Sequence, residues 1–148
     1  MDDKKCHEYL RTNRPDLHFD VLLRCWDVPV VNEHIADCCG SHYEGLRMLS
    51  IKDTVHRLIR KCQTQVDDLI SQQRDVVRVA CCDSHGIHRS YAMATLLQGI
   101  CEATKKYNSQ GPHHLDAAQW AATVCTTCEM CLPSDEKDLF FRKKVVYW

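Results

Sequence analysis

Between residues 51 and 70 the apolar positions Ile51, Val55, Leu58, Ile59, Cys62, Val66, Leu69 and Ile70 recur at steps of three and four. Lys52, Arg57, Arg60, Lys61, Asp67 and Asp68 fall between them, so the stretch predicts an amphipathic helix. The pattern before it is different. From Leu17, LHFDVLLRCWDVP packs leucine, valine and aromatic residues into a short run that stops at Pro29, which reads as a buried strand followed by a loop. A second run, VVRVACC at 76–82, reads as a central strand. Beyond it, Ser90 to Tyr107 carries Ala92, Ala94, Leu96, Leu97, Ile100 and Cys101, the spacing of another helix. Strand, crossover helix, strand and helix form the pattern of a right-handed βαβ unit. The expected class is therefore α/β, a single domain with a small parallel-rich sheet flanked by helices.

The polar stretches divide the rest. Residues 1–16 read as a frayed, polar lead-in, and the segment NEHIADCCGSHYEG, with Gly40 and Gly45, reads as a long loop of the kind that often carries function. The chain changes character at NSQGP, residues 108–112. A domain is expected over 17–131, with a cysteine-rich knuckle at 113–131. The charged and aromatic tail, 132–148, is expected to dock on the domain or on a protein partner.

Length and charge narrow the classes. The chain has 148 residues, one domain by size, and a net charge of −1. No global basic field points to nucleic acid or to an anionic membrane, so any such binding would be local. No run approaches the roughly 20 apolar residues of a membrane span, and MDDKKCHEYLRTNRPD lacks a signal-peptide core. A cytoplasmic or nuclear, unsecreted protein is expected, with its 11 cysteines reduced. An odd count also fits a closed disulfide framework poorly.

The second strand leads into VACCDSHGIHRS, residues 79–90. A loop between the carboxyl end of a parallel strand and the amino end of a helix gathers backbone N–H groups at the positive end of the helix dipole, which suits an anion. Gly86 allows close approach, Arg89 can clamp two oxygens, Ser90 can cap or donate, and Ser84, His85 and His88 supply further polar contacts. In the alternative, Asp83, Ser84 and His85 form a turn and helix cap, and Arg89 a structural ion pair. Cysteine phosphatases place five residues between nucleophile and arginine. Here that position holds Asp83, and Cys82 leaves six. One step along a strand turns a side chain to the other face, so a conventional cysteine phosphatase is not expected.

The order of LLRCWDVP, CCGSH and GIHRS resembles the C-terminal domain of the RapZ family of RNase adapter proteins, in its eukaryotic single-domain branch. Gly86, His88, Arg89 and Ser90 match that family's loop, Arg24 and Asp27 its first strand end, and Gly40 and His42 its His-x-Gly-x-His segment. Asp83 replaces the family's cysteine and His85 a glycine. The resemblance implies a pocket at the strand ends that binds a small phosphorylated or otherwise anionic ligand, phosphosugar or nucleotide-like, in a regulatory or adapter role. Arg89 would be the clamp, Gly86 to Ser90 the backbone donors, Arg24 a second positive group, and His42 and His88 orienting groups. RNA is a partner by this analogy alone. The other readings are a phosphatase-like or phosphoryl-transfer enzyme using His42, His85, His88 or Asp83, and a scaffold whose loop is vestigial.

The segment HHLDAAQWAATVCTTCEMC spaces Cys125, Cys128 and Cys131 as C-x2-C-x2-C. About 0.06 such triples are expected by chance at this cysteine content, so composition alone explains it poorly. With His113 or His114 the three thiolates complete the shell that structural zinc prefers. An iron–sulfur cluster or unliganded thiols are the alternatives. Eukaryotic RapZ-like sequences end similarly, which favours His114, next to Leu115. A second metal site from His34, Cys38, Cys39 and His42 is conceivable on residue type. Cys62 and Cys101 are expected in the core, and His7, His18 and His56 in water.

Overall fold

The computed structural model describes residues 3–28, 43–83 and 89–113. Its sheet is a parallel pair, β1 (Val21–Arg24) beside β2 (Val79–Cys82), in the register Val21 to Val79 through Arg24 to Cys82. Hydrogen bonds extend the ladder at both ends. The N–H groups of Asp20 and Val21 donate to the Arg78 carbonyl, and the Cys25 N–H donates to the Cys82 carbonyl at 2.8 Å. The Asp20 carboxylate accepts the Arg78 N–H at 2.7 Å, an exposed side-chain anchor that helps fix the register. The strands are shorter than the apolar runs. β1 begins only at Val21, which leaves Val76 without a strand opposite it and 55% exposed.

Two helices cross from β1 to β2, α2 (Tyr43–Ser50) and α3 (Asp53–Ser71), and α4 (Arg89–Thr104) follows the second strand. Side chains alternate across the strands. Val21, Leu23 and Cys25 face a core completed by Leu46 and Leu49 of α2, Val55, Ile59 and Cys62 of α3, and Ala92, Met93, Leu96 and Ile100 of α4. The α3 stripe is the predicted one, but it starts later. Ile51 lies outside the helix and is 64% exposed. At its carboxyl end the Arg74 N–H reaches back to the Leu69 carbonyl and Gln73 takes a left-handed φ of 66°, a Schellman-type stop made without glycine. Lys106 Nζ and the Tyr107 hydroxyl both reach the Asp67 carboxylate at 2.7 Å, joining the end of α4 to α3.

Two helices lie where the sequence pattern shows none. Residues 46–50 were no part of a periodic segment, yet Leu46 and Leu49, one turn apart, bury the inner face of α2. His56 Nε2 meets the Ser50 carbonyl at 2.6 Å and closes the corner between α2 and α3, so this histidine is half-buried and bonded rather than facing water. The lead-in is likewise structured. Residues Asp3–Asn13 form α1, whose Cys6 and Leu10 pack with Ala80, Leu22, Phe19 and Cys82 on the second face of the sheet. The sheet is thus covered on both sides, and a stripe only two residues wide was enough to order a segment that is otherwise polar. No described helix is long and apolar enough to cross a membrane.

This core predicts a sharp contrast in stability. Leu96→Ala, at a site 1% exposed, should lower the unfolding free energy by about 2–5 kcal/mol in urea titration. Ile70→Ala, at a site 45% exposed, should cost about 1 kcal/mol or less by the same measurement.

Candidate functional site

Parallel pairing brings the carboxyl ends of β1 and β2 side by side, with Arg24 opposite Cys82. The chain leaves β1 through Cys25, Trp26, Asp27 and Val28, and leaves β2 through Asp83 toward α4. Arg89, the first residue of α4, reaches across this gap. Its Nη1 donates to the Trp26 carbonyl at 2.7 Å and to the Val28 carbonyl at 3.4 Å. Carbonyl oxygens orient a guanidinium without cancelling its charge. Among the described residues Arg89 forms no ion pair, so the structural ion pair considered from sequence is not the arrangement found. Arg24, the last residue of β1, has its guanidinium carbon 6.0 Å from the Trp26 ring centre, and alternation along the strand puts it on the face of Leu22 and Cys82.

Asp83 is 9% exposed, and its Oδ2 accepts the Ser90 N–H at 2.8 Å. A carboxylate in the first turn of a helix answers the positive end of the dipole, a contribution of about 0.3–1 kcal/mol at the surface and up to about 2 when partly buried. One donor that the sequence pattern offered to a ligand is therefore taken by the protein's own carboxylate. Asp83 is a turn and cap candidate by residue type, and its carboxylate caps α4 across seven residues, while Ser84 and His85 of the same reading lie outside the described residues.

The cysteines beside the loop belong to the two cores. Cys81 packs into the α3 and α4 core while Cys82 faces α1 and Cys6, the one-residue face change of a strand. A hydrogen bond with Cys81, then burial, raises the Cys25 pKa. Burial, then a hydrogen bond with Cys6, raises that of Cys82. Burial first, then the neighbouring Cys81 and Cys101, pushes the Cys62 thiol up to about 12. A nucleophilic cysteine needs the opposite shift.

Arg24, Asp83, Arg89 and Ser90 thus all stand at or just beyond the strand ends, with exposed Asp27 on the connecting turn. His42, Ser84, His85, Gly86 and His88 lie outside the described residues, as do His34, Cys38 and Cys39, and the zinc candidates His114, Cys125, Cys128 and Cys131. Among the described residues no group of three or more histidine, cysteine or acidic side chains could hold a metal ion. The Trp26 and Val28 carbonyls had no sequence signal, being backbone atoms, and neither did the contact of Arg24 with Trp26, which lies in the turn beyond β1. The chain has no match among the family models, curated proteins and solved structures compared with it.

The thiol environment fixes the direction of a pH effect. A thiol whose pKa rises on folding favours the native state only while protonated. The contribution of Cys62 is complete below the ordinary thiol range, about pH 8.5, and is lost as pH climbs toward 12. Urea midpoints should accordingly fall as the pH is raised from 8 to 10, and Cys62→Ala should flatten that fall. Native Cys25, Cys62 and Cys82 should also alkylate with iodoacetamide far more slowly than in urea.

Proposed function

We propose that the protein binds a small anionic ligand, of the phosphosugar or nucleotide-like class, beyond the carboxyl ends of β1 and β2, in a regulatory or adapter role. The observation that carries this reading is the state of Arg89. A half-buried guanidinium held by the Trp26 and Val28 carbonyls keeps its full charge beside the opening of the strand ends, where open parallel sheets receive ligands. Arg24 adds a second positive charge. Asp83 sets the limit: its buried carboxylate at the amino end of α4 favours a singly charged or charge-dispersed group over a compact dianion. The raised thiol pKa values argue for binding over covalent chemistry.

One observation favours a second reading, the scaffold with a vestigial loop. The Asp83 bond to Ser90 N–H supplies the negative charge that the helix end would otherwise take from a ligand. The motif resemblance to the RapZ C-terminal domain supports the first reading, and RNA binding has only that analogy behind it. The C-x2-C-x2-C triple with His114 supports a structural zinc that fastens the segment from 113 to 131.

Phosphate, sulfate, glucosamine 6-phosphate and a nucleoside monophosphate, each titrated against thermal stability, separate the two readings. A ligand at ten times its Kd should add about 1.4 kcal/mol, a rise of roughly 3–6 °C in Tm. Arg24→Ala should weaken that rise, Arg89→Ala should abolish it, and Asp83→Asn should enlarge it. No rise for any of these anions in the wild-type or Asp83→Asn protein would leave the scaffold reading standing. Metal analysis of the purified protein should return one zinc per chain, reduced in Cys128→Ser.

A further inference from the structure

The charge on α3 runs against the helix that carries it. Lys52 stands at its amino end beside Asp53, Arg57, Arg60 and Lys61 follow in the next turns, and the last turn holds Asp68 and no basic residue, so its carboxyl end lacks the cation that the helix dipole favours. Arg57 is a like-charge neighbour of both Arg60 and Lys61 at helical spacing, each pair costing about 0.2–0.5 kcal/mol. All four cations are exposed, and none makes an ion pair or side-chain hydrogen bond among the described residues. Residues 52–61 hold four cations and one carboxylate, Asp53, or +3 in a chain whose net charge is −1.

The setting is rigid and not wholly polar. The bonds from His56 Nε2 to the Ser50 carbonyl and from Lys52 N–H to the Leu49 carbonyl fix the corner where α2 meets α3. At that corner Ile51 is 64% exposed. A depression of about 370 Å³ lies along the stripe, lined by Asp53, His56, Arg57 and Arg60.

We propose that this face docks an acidic, partly apolar peptide segment of a partner protein. Two arginines within a turn suit carboxylates, which a guanidinium grips by two parallel bonds. Ile51 adds an apolar anchor that a phosphate backbone would leave unused. α3 holds no phenylalanine, tyrosine or tryptophan on which bases could stack, its one imidazole, His56, is half-buried and tied to the Ser50 carbonyl, and Asp53 inside the depression disfavours phosphate dianions more than single carboxylates. One exposed isoleucine is too little apolar surface for a membrane face. From Asp53 to Arg60 the lining of the depression spans about 10 Å, the length of roughly three residues of extended peptide.

Fluorescence anisotropy with the full chain tests this, using a labelled dodecapeptide of glutamates interrupted by leucines at near-physiological salt. The double variant Arg57→Glu with Arg60→Glu should weaken binding by about tenfold or more, and Ile51→Ser by about threefold, with Tm unchanged because these side chains are exposed. Arg89→Ala should leave peptide binding as it is, which separates this face from the anion site. Equal affinity in wild type and the charge-reversed protein would overturn the proposal. So would tighter binding of an oligouridylate or of phosphatidylserine vesicles than of the peptide.

Discussion

The parallel register of β1 against β2 is the constraint on which the other features depend. It is locked at one end by the Asp20 carboxylate on the Arg78 N–H and at the other by the Cys25 N–H on the Cys82 carbonyl. A slip of one residue would turn Cys81 toward α1 and Cys82 toward α3, exchanging the two cores. It would also part the chain segment 26–28 from the start of α4. Arg89 can reach the Trp26 and Val28 carbonyls only because both strands end level.

The thiols follow from the same geometry. A sheet of two short strands offers few side chains to each face, and cysteine fills narrow positions there as a small apolar group. Cys25 is fully buried, and Cys6 and Cys62 are each 2% exposed. The hydrogen bond with Cys81 and then burial raise the Cys25 pKa, and burial raises that of Cys62, so these cysteines act as packing groups in this part of the chain.

The periodic elements were legible because many residues repeat one message. α3 carries seven of the eight candidate apolar positions, and β2 and α4 follow from runs of similar clarity. α1 and α2 rest on two well-buried hydrophobic side chains each among the described residues, Cys6 with Leu10 and Leu46 with Leu49, too few to rise above a polar background. Their order comes from the sheet and helices they cover, a tertiary effect that periodicity cannot register. In the candidate site, Arg24, Asp83, Arg89 and Ser90 were visible as residue types. Their partners were not, because three of the four contacted atoms are backbone groups, the Trp26 and Val28 carbonyls and the Ser90 N–H.

Asp83 and Arg89 form no ion pair with each other, although both flank one loop. The carboxylate turns to the helix end, and the guanidinium turns to the β1 carbonyls. Had they paired, each would have neutralised the other and the loop would carry neither charge. Held apart, the carboxylate balances the dipole of α4 while the guanidinium keeps its charge for another group. An arginine needed only as a strut could be replaced at such a place by a neutral donor, since carbonyls do not require a cation. The retained charge is what gives the ligand reading its advantage over the scaffold, and the satisfied helix end is why the ligand would meet the arginines rather than the helix.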